Sequence, residues 1–356
     1  MKLLLDALGA PESSGGMRLY VDGVIRGWVE SHPEDQLTVL GGAWVREDFV
    51  ELPSVRVIVW PNDFVGTRMV GQLVISAIAM LVTRSSALIS LSTLVSPLIP
   101  RARRVCVVHD WRHVKNPEQF GRAQLAYRRL WKHSVRTAGT VVSISKKTHA
   151  ETLEIVPGAN GIVVENGRDY VKFWPESSER LVQDSTQRIT TFGHFANKRP
   201  DLVMDGLALL LQSYTGDVQL TVLGARGEFQ AGLRARAQNL GIEGQCSFPG
   251  FVDQDQYESI IRSSDLIVLA STDEGFGLPI AEANFLGIPA LVTSDSGLAE
   301  IHTEGIIVAE PNSRSVALKM RDALEGRVPR ANLESMSTWA GTATGLREAV
   351  LLAAKR

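Results

Sequence analysis

The chain alternates short apolar runs with stretches of helical periodicity, and it does so in two separate series. A buried parallel strand is a short, nearly continuous apolar run, and consecutive parallel strands are joined by crossovers that are usually helical. The first series of apolar runs covers residues 2–8, 37–40, 55–60, 87–91, 105–108 and 140–144. The second series covers residues 188–192, 219–223, 266–270, 290–293 and 305–308. This pattern predicts an α/β protein with two doubly wound, Rossmann-like parallel sheets.

The two series meet in a segment where the apolar periodicity lapses. Residues 173–187 accumulate Pro, Glu and Ser, which is typical of a connection between domains. We therefore predict a first domain over residues 1–175, a second over residues 176–340, and a terminal helix within residues 341–356. Because ligands of open α/β sheets bind beyond the carboxyl ends of the strands, two such domains facing each other would enclose a cleft for two substrates.

Composition and charge argue against several other classes of protein. The 356 residues include 37 Lys or Arg against 39 Asp or Glu, so there is no overall positive field to hold nucleic acid. The two cysteines, Cys106 and Cys246, match no metal-ligand spacing, argue against a disulfide framework and favour a reducing compartment. The apolar start of the chain, residues 1–6, is too short for the core of a signal peptide. We expect a cytoplasmic protein.

One apolar stretch, residues 69–82, comes nearest to a membrane-spanning segment and is flanked by Arg68 and Arg84. It is shorter than the roughly 18 to 20 apolar residues that a span requires. We interpret it as a buried core helix. A helix that lies on a membrane surface is the alternative that the sequence leaves open.

The most informative stretch reads Ser-Thr-Asp-Glu-Gly-Phe-Gly-Leu-Pro-Ile-Ala-Glu over residues 271–282 and directly follows a predicted strand. Gly275 and Gly277 allow the backbone to approach a ligand closely, and Pro279 suits the first turn of a helix. The amides at the start of such a helix have no acceptors within the helix and can face an anion.

Two carboxylates, Glu274 and Glu282, lie on either side of this turn. Carboxylates in such positions can accept hydrogen bonds from the hydroxyl pairs of a sugar or a ribose. The spacing of the two glutamates alone would favour solvated side chains. The glycines and the preceding strand favour the ligand-binding interpretation.

Other segments complete a pattern with this stretch. They are Gly15-Gly16-Met-Arg-Leu-Tyr, Val107-Val-His109-Asp110, Val142-Ser-Ile-Ser145, Val164-Glu-Asn166-Gly167-Arg-Asp169, Phe192-Gly193-His194-Phe-Ala-Asn-Lys198-Arg199-Pro and Phe248-Pro-Gly-Phe-Val. With them, the chain resembles the retaining nucleotide-sugar glycosyltransferases of family 4. The likeness covers nearly the whole chain, is strongest over residues 248–301 and weakest over residues 39–84. It implies the GT-B fold, with two Rossmann-like domains facing across a cleft, the acceptor on the N-terminal domain, the donor on the C-terminal domain, and the last helix packed back on the N-terminal domain.

The resemblance also implies a role for each matching residue. Glu282 would bind the ribose hydroxyls and Glu274 the hydroxyls of the transferred sugar. Lys198, helped by Arg199, would neutralise the diphosphate, and His109 would lie beside the transferred sugar. The backbone amides that would hold the sugar and the diphosphate belong to Gly275, Phe276, Gly277 and Leu278. The glycines that would let phosphate and acceptor approach the backbone are Gly15 and Gly16. His109, Glu274 and Lys198 are thus the predicted catalytic residues.

One residue departs from the family pattern, because His194 stands where an arginine is usual and the loop up to Lys198 is shortened. Histidine is only partly charged at neutral pH, so either Arg199 supplies the second positive charge or diphosphate binding is weaker. Asp253 and Asp255 lie where a predicted helix starts, and we interpret them as capping residues rather than metal ligands. We expect no cofactor and no divalent metal ion.

Residues 101–136 carry ten Lys or Arg against two acidic residues, with Trp111, Tyr127 and Trp131 interleaved. A solvated helix face is one interpretation. The other is a basic-aromatic surface that meets anionic lipid headgroups or a lipid-linked acceptor. In that case the protein would lie peripherally on the inner face of the membrane.

The resemblance, taken with these features, implies a retaining, metal-independent hexosyltransferase. It would move a sugar from a nucleotide diphosphate sugar to a glycan or a lipid-linked acceptor, in surface polysaccharide or glycolipid biosynthesis by resemblance. Two alternatives stay open: a GT-B sugar-nucleotide epimerase, and a non-catalytic subunit that binds a nucleotide sugar.

Overall fold

The chain divides into two compact units, each with its own parallel sheet. The computed structural model describes residues 1–12, 14–175, 185–328 and 331–355. The first unit comprises Met1–Gly167 with Ser337–Arg356, and the second comprises Arg168–Met336. Residue 176, where the predicted second domain begins, lies outside the described residues.

The first unit is built on a seven-stranded sheet in which every neighbouring pair of strands is parallel. Its strands are β1 (Lys2–Asp6), β2 (Gln36–Gly41), β3 (Val55–Val59), β4 (Ala87–Ser90), β5 (Arg104–Val108), β6 (Thr140–Ser143) and β7 (Gly161–Val163). Their spatial order is β3-β2-β1-β4-β5-β6-β7. The inner strands β4, β5 and β6 are buried along their whole length, so their apolar residues are consecutive rather than alternating with polar ones.

Helices connect the strands of the first unit. They are α1 (Gly15–Ser31), α2 (Trp44–Phe49), α3 (Val65–Val70), α4 (Ser76–Thr83), α5 (Arg112–Lys115), α6 (Arg122–Thr137) and α7 (Lys146–Ile155). A π-helical turn, Gly71–Ile75, joins α3 to α4, so the two form one continuous helix.

The second unit is built on a six-stranded parallel sheet with the order β10-β9-β8-β11-β12-β13. Its strands are β8 (Gln187–Phe192), β9 (Val218–Leu223), β10 (Cys246–Gly250), β11 (Leu266–Leu269), β12 (Ala290–Thr293) and β13 (Ile306–Ala309). Its helices are α8 (Pro200–Leu211), α9 (Gly227–Leu240), α10 (Gln254–Ser263), α11 (Leu278–Phe285), α12 (Leu298–Ile301) and α13 (Ser313–Leu324). One buried apolar cluster joins the sheet to α8, α9 and α13.

The last helix, α14 (Trp339–Ala354), belongs to the first unit and packs on α1. Gly23 and Gly27 allow this close contact. A Cβ atom on Gly23 would overlap the ring of Trp339, and a Cβ atom on Gly27 would overlap the backbone of the same residue. Since Trp339 is fully buried, it has no room to move aside.

The predicted fold class, with two Rossmann-like parallel-sheet domains, is confirmed. Each of the eleven predicted apolar runs overlaps a strand. The pattern of apolar runs does not predict two further strands, β7 and β10. Strand β7 has only three residues, and β10 contains Pro249 and Gly250. Both lie at the edges of their sheets, where such sequences are tolerated.

The helix over Val65–Thr83 is not simply the buried core helix that its composition predicts. Among the described residues it is the one helix that is long and apolar enough, by length and composition, to cross a membrane. Only 28% of its most apolar 18-residue window is buried. Met80 packs into the core of the first unit, whereas Leu81 is 77% exposed. The prediction of a buried helix is therefore wrong for one of its faces.

The aromatic residues within 101–136 do not form a basic-aromatic surface. Trp111, Tyr127 and Trp131 are buried in the core of the first unit. In α6, Tyr127 and Trp131 are four residues apart and therefore share the inward face of the helix. The aromatic part of that prediction is wrong, and the exposed face of α6 consists of Arg, Lys, His, Gln and Ala side chains.

Replacing Gly27 with alanine tests the packing of α14 on α1. The added Cβ would overlap backbone atoms of Trp339, so we expect Gly27→Ala to lower the free energy of unfolding by about 1–3 kcal/mol in urea titrations. Gly66→Ala in α3 is the matched control, because a Cβ there meets nothing within 4 Å. Equal stability of the Gly27→Ala variant and the wild-type chain would contradict this packing.

Candidate active site

The sheet of the second unit contains a point where the chain leaves two neighbouring strands in opposite directions. Strand β8 continues to β9 on one side, whereas β11 pairs with β8 on the other side and leads away to β12. The loops beyond the carboxyl ends of β8 and β11 therefore diverge, and open parallel sheets bind their ligands at such points. These loops contain residues 193–199 and 270–277, which carry most of the predicted donor-site residues.

Lys198 and Glu274, predicted from separate segments, form an ion pair between these two loops. The Lys198 Nζ atom donates to Glu274 Oε1, and the Ser271 hydroxyl donates to the same oxygen over 2.6 Å. The loops are also joined through their backbones, because the Thr272 amide donates to the Asn197 carbonyl over 2.9 Å. The side chains of Lys198 and Glu274 are only 10% and 12% exposed. A cation and a carboxylate are thus held together at the edge of the sheet.

Arg199 lies beside this pair, and its hydrogen bonds go to groups of the protein itself. Its guanidinium donates to the Ala270 carbonyl, the Ser271 carbonyl and the Thr293 hydroxyl, and it binds both carboxylate oxygens of Asp295. Burial alone would raise the pKa of Asp295, but the hydrogen bonds from Arg199 and Thr293 lower it overall. Arg199 therefore ties the ends of β11 and β12 together, and its predicted contact with a diphosphate would have to compete with Asp295.

The loop after β11 ends at Gly277, which adopts a left-handed conformation with φ of +78°. A Cβ atom at this position would contact the side chain of Leu298, so both the backbone angle and the space require glycine. Helix α11 begins at the next residue, Leu278, and Pro279 lies in its first turn. No side chain caps this N-terminus, which leaves its first amides available to an anion.

His302 supports this loop from behind, and the sequence pattern contains no signal for it. The ring is completely buried, and its Nε2 lies 2.6 Å from the Phe276 carbonyl oxygen. Burial, reinforced by the nearby Arg168 charge, lowers the pKa of His302 to about 3, so the neutral ring donates to that carbonyl. Because the C=O and N–H of a trans peptide point in opposite directions, the Gly277 amide faces away from His302.

Glu282 lies within α11 and is 2% exposed. The Tyr257 hydroxyl donates to its Oε2 atom over 2.5 Å, whereas Oε1 is buried and has no hydrogen-bond partner among the described residues. Burial raises the pKa of Glu282 to about 8, although the bond from Tyr257 opposes the shift. An unpaired buried carboxyl oxygen costs about 1–3 kcal/mol, which a ligand hydroxyl would recover.

The first unit has an equivalent point between β1 and β4, where the chain also leaves in opposite directions. The loop after β1 leads to Gly15 and Gly16, which form the N-terminus of α1. A Cβ atom on Gly15 would meet nothing within 4 Å, so the structure leaves open space at this position. The N-cap residue Ser14 makes no side-chain capping bond, and the first amides of α1 are left without that acceptor.

His109 follows β5 directly and lies close to the same edge of the first sheet. Its Nε2 is 2.9 Å from the carbonyl oxygen of Leu91, the residue that follows β4. The ring of Tyr20 packs against it edge to face, with 4.6 Å between the ring centroids. Burial lowers the pKa of His109, so the ring is neutral at neutral pH and donates a hydrogen bond to Leu91. This bond fixes the orientation of the ring.

The predicted site residues are thus divided between the units. In the second unit Lys198 and Glu274 are paired, and Glu282 lies on the helix whose N-terminus adjoins Glu274; His109 and the Gly15 loop belong to the first unit. His194, at the position where the resemblance predicts an arginine, packs between the rings of Phe192 and Phe195.

Asp253 caps α10, because its carboxylate accepts the Gln256 amide over 2.8 Å. The capping interpretation of Asp253 is therefore confirmed. In the described parts of the chain, no group of three or more His, Cys, Asp or Glu side chains is placed to hold a metal ion.

Similarity to a known protein family lies in the second unit. Residues 174–338 match the family model of the glycosyl transferases group 1. The chain is similar to mannosylfructose-phosphate synthase of Agrobacterium fabrum, with 30% identity over 42% of this chain and 37% of the relative. It is also similar to glycogen synthase of Mycobacterium tuberculosis, with 27% identity over 62% of this chain and 56% of the relative. The chain thus spans between about a third and a little over half the length of these relatives.

The similarity to solved structures extends over the whole chain. Anabaena Alr3699/HepE, solved in complex with UDP and glucose, has a TM-score of 0.69 at 19% identity and covers 100% of this chain and 97% of its own. Identity at this level establishes a shared fold. The fold is that of GT-B glycosyltransferases, and together with the match over residues 174–338 it supports a GT-B glycosyltransferase.

Proposed function

We propose that the chain is a retaining glycosyltransferase of family 4 that moves a hexose from a nucleotide diphosphate sugar to a glycan or a lipid-linked acceptor. The observation that carries the proposal is the arrangement in the second unit, where the Lys198–Glu274 pair lies beside the uncapped N-terminus of α11. The UDP and glucose held by the Anabaena neighbour support a donor of this class. We propose that this chain acts in the assembly of surface polysaccharide or glycolipid.

In this proposal the donor diphosphate binds at the N-terminus of α11, next to Lys198. The leaving phosphate gains negative charge as the bond to the sugar breaks, and the helix amides with Lys198 stabilise that charge in the transition state. Binding of the phosphate draws Lys198 away from Glu274, and the freed carboxylate accepts hydroxyls of the transferred sugar. The donor phosphate thereby replaces Glu274 as the partner of Lys198, and the Glu274 carboxylate keeps the hydrogen bond from Ser271 and gains those from the sugar hydroxyls.

Glu282 binds the ribose in the proposed complex. Its Oε2 already accepts the Tyr257 hydroxyl, and the unpaired Oε1 is the oxygen that we assign to a ribose hydroxyl. His302 contributes indirectly, because it holds the Phe276 carbonyl inward and so keeps the Gly277 amide directed away from the core. We therefore assign His302 as a positioning residue.

His109, Gly15 and Gly16 serve the reaction from the first unit. Since burial lowers the pKa of His109 and so makes its ring a weaker base, and Leu91 fixes the ring, we assign it to hydrogen bonding with the transferred sugar rather than to proton abstraction. In the proposed step the acceptor oxygen bonds to the anomeric carbon on the face from which the phosphate leaves, and the acceptor proton passes to the leaving phosphate. This route retains the anomeric configuration without a protein nucleophile.

Substitution of Lys198 tests the proposed donor site. The wild-type chain is screened by thermal shift against UDP-, GDP-, ADP- and dTDP-sugars, and a donor is expected to raise its melting temperature because it binds only the folded state. With that donor, Lys198→Ala is expected to lower kcat by at least about 100-fold, since a transition-state cation is lost.

Lys319→Ala is the matched control, because Lys319 also forms an ion pair but lies on α13. Turnover by Lys198→Ala within tenfold of the control would contradict the assignment. Product analysis with and without added acceptor separates transfer from epimerisation, and no turnover with any donor would favour a non-catalytic subunit.

The raised pKa of Glu282 predicts a specific pH dependence of stability. The folded chain keeps the Glu282 proton up to a pH of about 8, whereas the unfolded chain releases it near its ordinary pKa of 4.5. Unfolding therefore releases a proton in this window, and the free energy of unfolding falls as the pH rises through it. We expect Glu282→Gln to lose this component, so that its stability relative to wild type improves from pH 5 to pH 9 in urea titrations. Glu51→Gln, at an exposed position, serves as the control. A difference in free energy of unfolding between Glu282→Gln and wild type that stays constant from pH 5 to pH 9 would contradict the prediction.

The proposed reaction requires no divalent ion, because Lys198 and the α11 amides supply the positive charge at the leaving phosphate. We expect turnover to be unchanged after extensive treatment with EDTA. Loss of activity that Mg²⁺ or Mn²⁺ restores would show that the assignment of the positive charge is wrong.

A further inference from the structure

The helix over Val65–Thr83 presents a continuous apolar stripe to solvent. The exposed apolar side chains follow one another at intervals of three, four or one residues, which places them on one face of a helix. They are Val70, Val74, Ile78, Leu81 and Val82, preceded by the exposed Phe64. At 1.5 Å per residue the helix is about 28 Å long, so the stripe runs along much of one side of it. Exposed apolar patches of this extent mark interaction sites.

The opposite face of this helix is firmly attached to the first unit. Gln72 is buried, donates to the Ser92 hydroxyl over 2.8 Å and accepts the Tyr127 hydroxyl over 2.6 Å. The Ser76 hydroxyl donates to the Gln72 carbonyl, and Met80 is part of the apolar core. A helix held in this way does not leave the unit to span a bilayer, so its stripe is a fixed surface feature.

Several positively charged side chains lie near the stripe, whereas one exposed carboxylate, Asp63, lies at its start beside Phe64. Helix α6 packs beside α3 and contains five Arg or Lys and no Asp or Glu. Its exposed cations include Arg129, Lys132 and Arg136. At the end of α4, Arg103 donates to the carbonyls of Ser85 and Ser86 and so lies close to the exposed Arg84. The helix over Val65–Thr83 has no acidic residue either.

We propose that this face docks on an anionic lipid bilayer, with the stripe in the interface and the cations of α6 on the headgroups. An apolar face partly inserted between lipid chains, flanked by Lys and Arg, is the composition of a helix that lies in the plane of a membrane. A second copy of the chain is disfavoured as the occupant, because a two-fold interface through the stripe would bring two basic α6 helices together. The proposal does not depend on sugar transfer.

Flotation of the full chain with vesicles tests the apolar part of the proposal, with no nucleotide sugar present. The wild-type chain is expected to float with vesicles of phosphatidylcholine and phosphatidylglycerol but not with phosphatidylcholine alone. Leu81→Gln/Val82→Gln is expected to weaken binding by roughly tenfold or more, because two exposed apolar side chains are lost. Leu351→Gln/Leu352→Gln is the matched control, an exposed apolar pair on α14 of the same unit. Circular dichroism melts establish that each variant is folded.

Charge removal tests the basic part. Arg129→Gln/Lys132→Gln is expected to weaken binding to phosphatidylglycerol vesicles several-fold and to reduce its dependence on salt. Arg46→Gln/Arg56→Gln removes two exposed charges elsewhere in the first unit and is expected to bind like wild type.

Three results would overturn the proposal. They are absence of wild-type binding to anionic vesicles at low salt, unchanged binding of the folded Leu81→Gln/Val82→Gln variant, and a wild-type dimer in sedimentation that this variant dissociates. The last result would assign the stripe to a second copy of the chain. Since donor binding is measured separately, each outcome leaves the proposed glycosyl transfer independently testable.

Discussion

The ion pair between Lys198 and Glu274 depends on one constraint of topology, the divergence of the chain at the carboxyl ends of β8 and β11. Adjacent parallel strands whose connections leave in opposite directions cannot cover the edge between them. Charged side chains from two distant segments therefore meet there with little competing packing. The neighbouring N-terminus of α11 adds a positive end of a helix dipole to the same edge.

The groups at this edge differ in the free energy that each would gain when a ligand binds. The side chains of Lys198 and Glu274 are only 10% and 12% exposed, and leaving one member of a buried ion pair without its partner costs about 3–5 kcal/mol, so the two separate only when a ligand gives each a new partner. The unpaired Glu282 Oε1 already costs about 1–3 kcal/mol that the protein alone does not offset. Glu282 and the uncapped helix favour a ligand with both hydroxyls and negative charge, and a nucleotide diphosphate sugar has both.

Periodicity in the sequence was sufficient for the described strands other than β7 and β10, because inner parallel strands are rich in consecutive apolar residues. It could not identify His302, whose contact with Phe276 joins elements 26 residues apart. It also misplaced the exposed surface of the first unit: a 3.6-residue period shows which residues share a face, not which neighbour covers it. Thus Trp131 lies in the core and Leu81 lies in solvent, although their surroundings in the sequence favour the reverse.

The central claim is that a nucleotide diphosphate binds against α11 and Lys198. The most direct measurement is a crystal structure of the full chain soaked with the nucleotide diphosphate that it binds most tightly. We predict that the diphosphate contacts the Gly277 and Leu278 amides and the Lys198 ammonium, with the ribose on Glu282. Density for the nucleotide at any other place, with the Lys198–Glu274 pair undisturbed, would contradict the account.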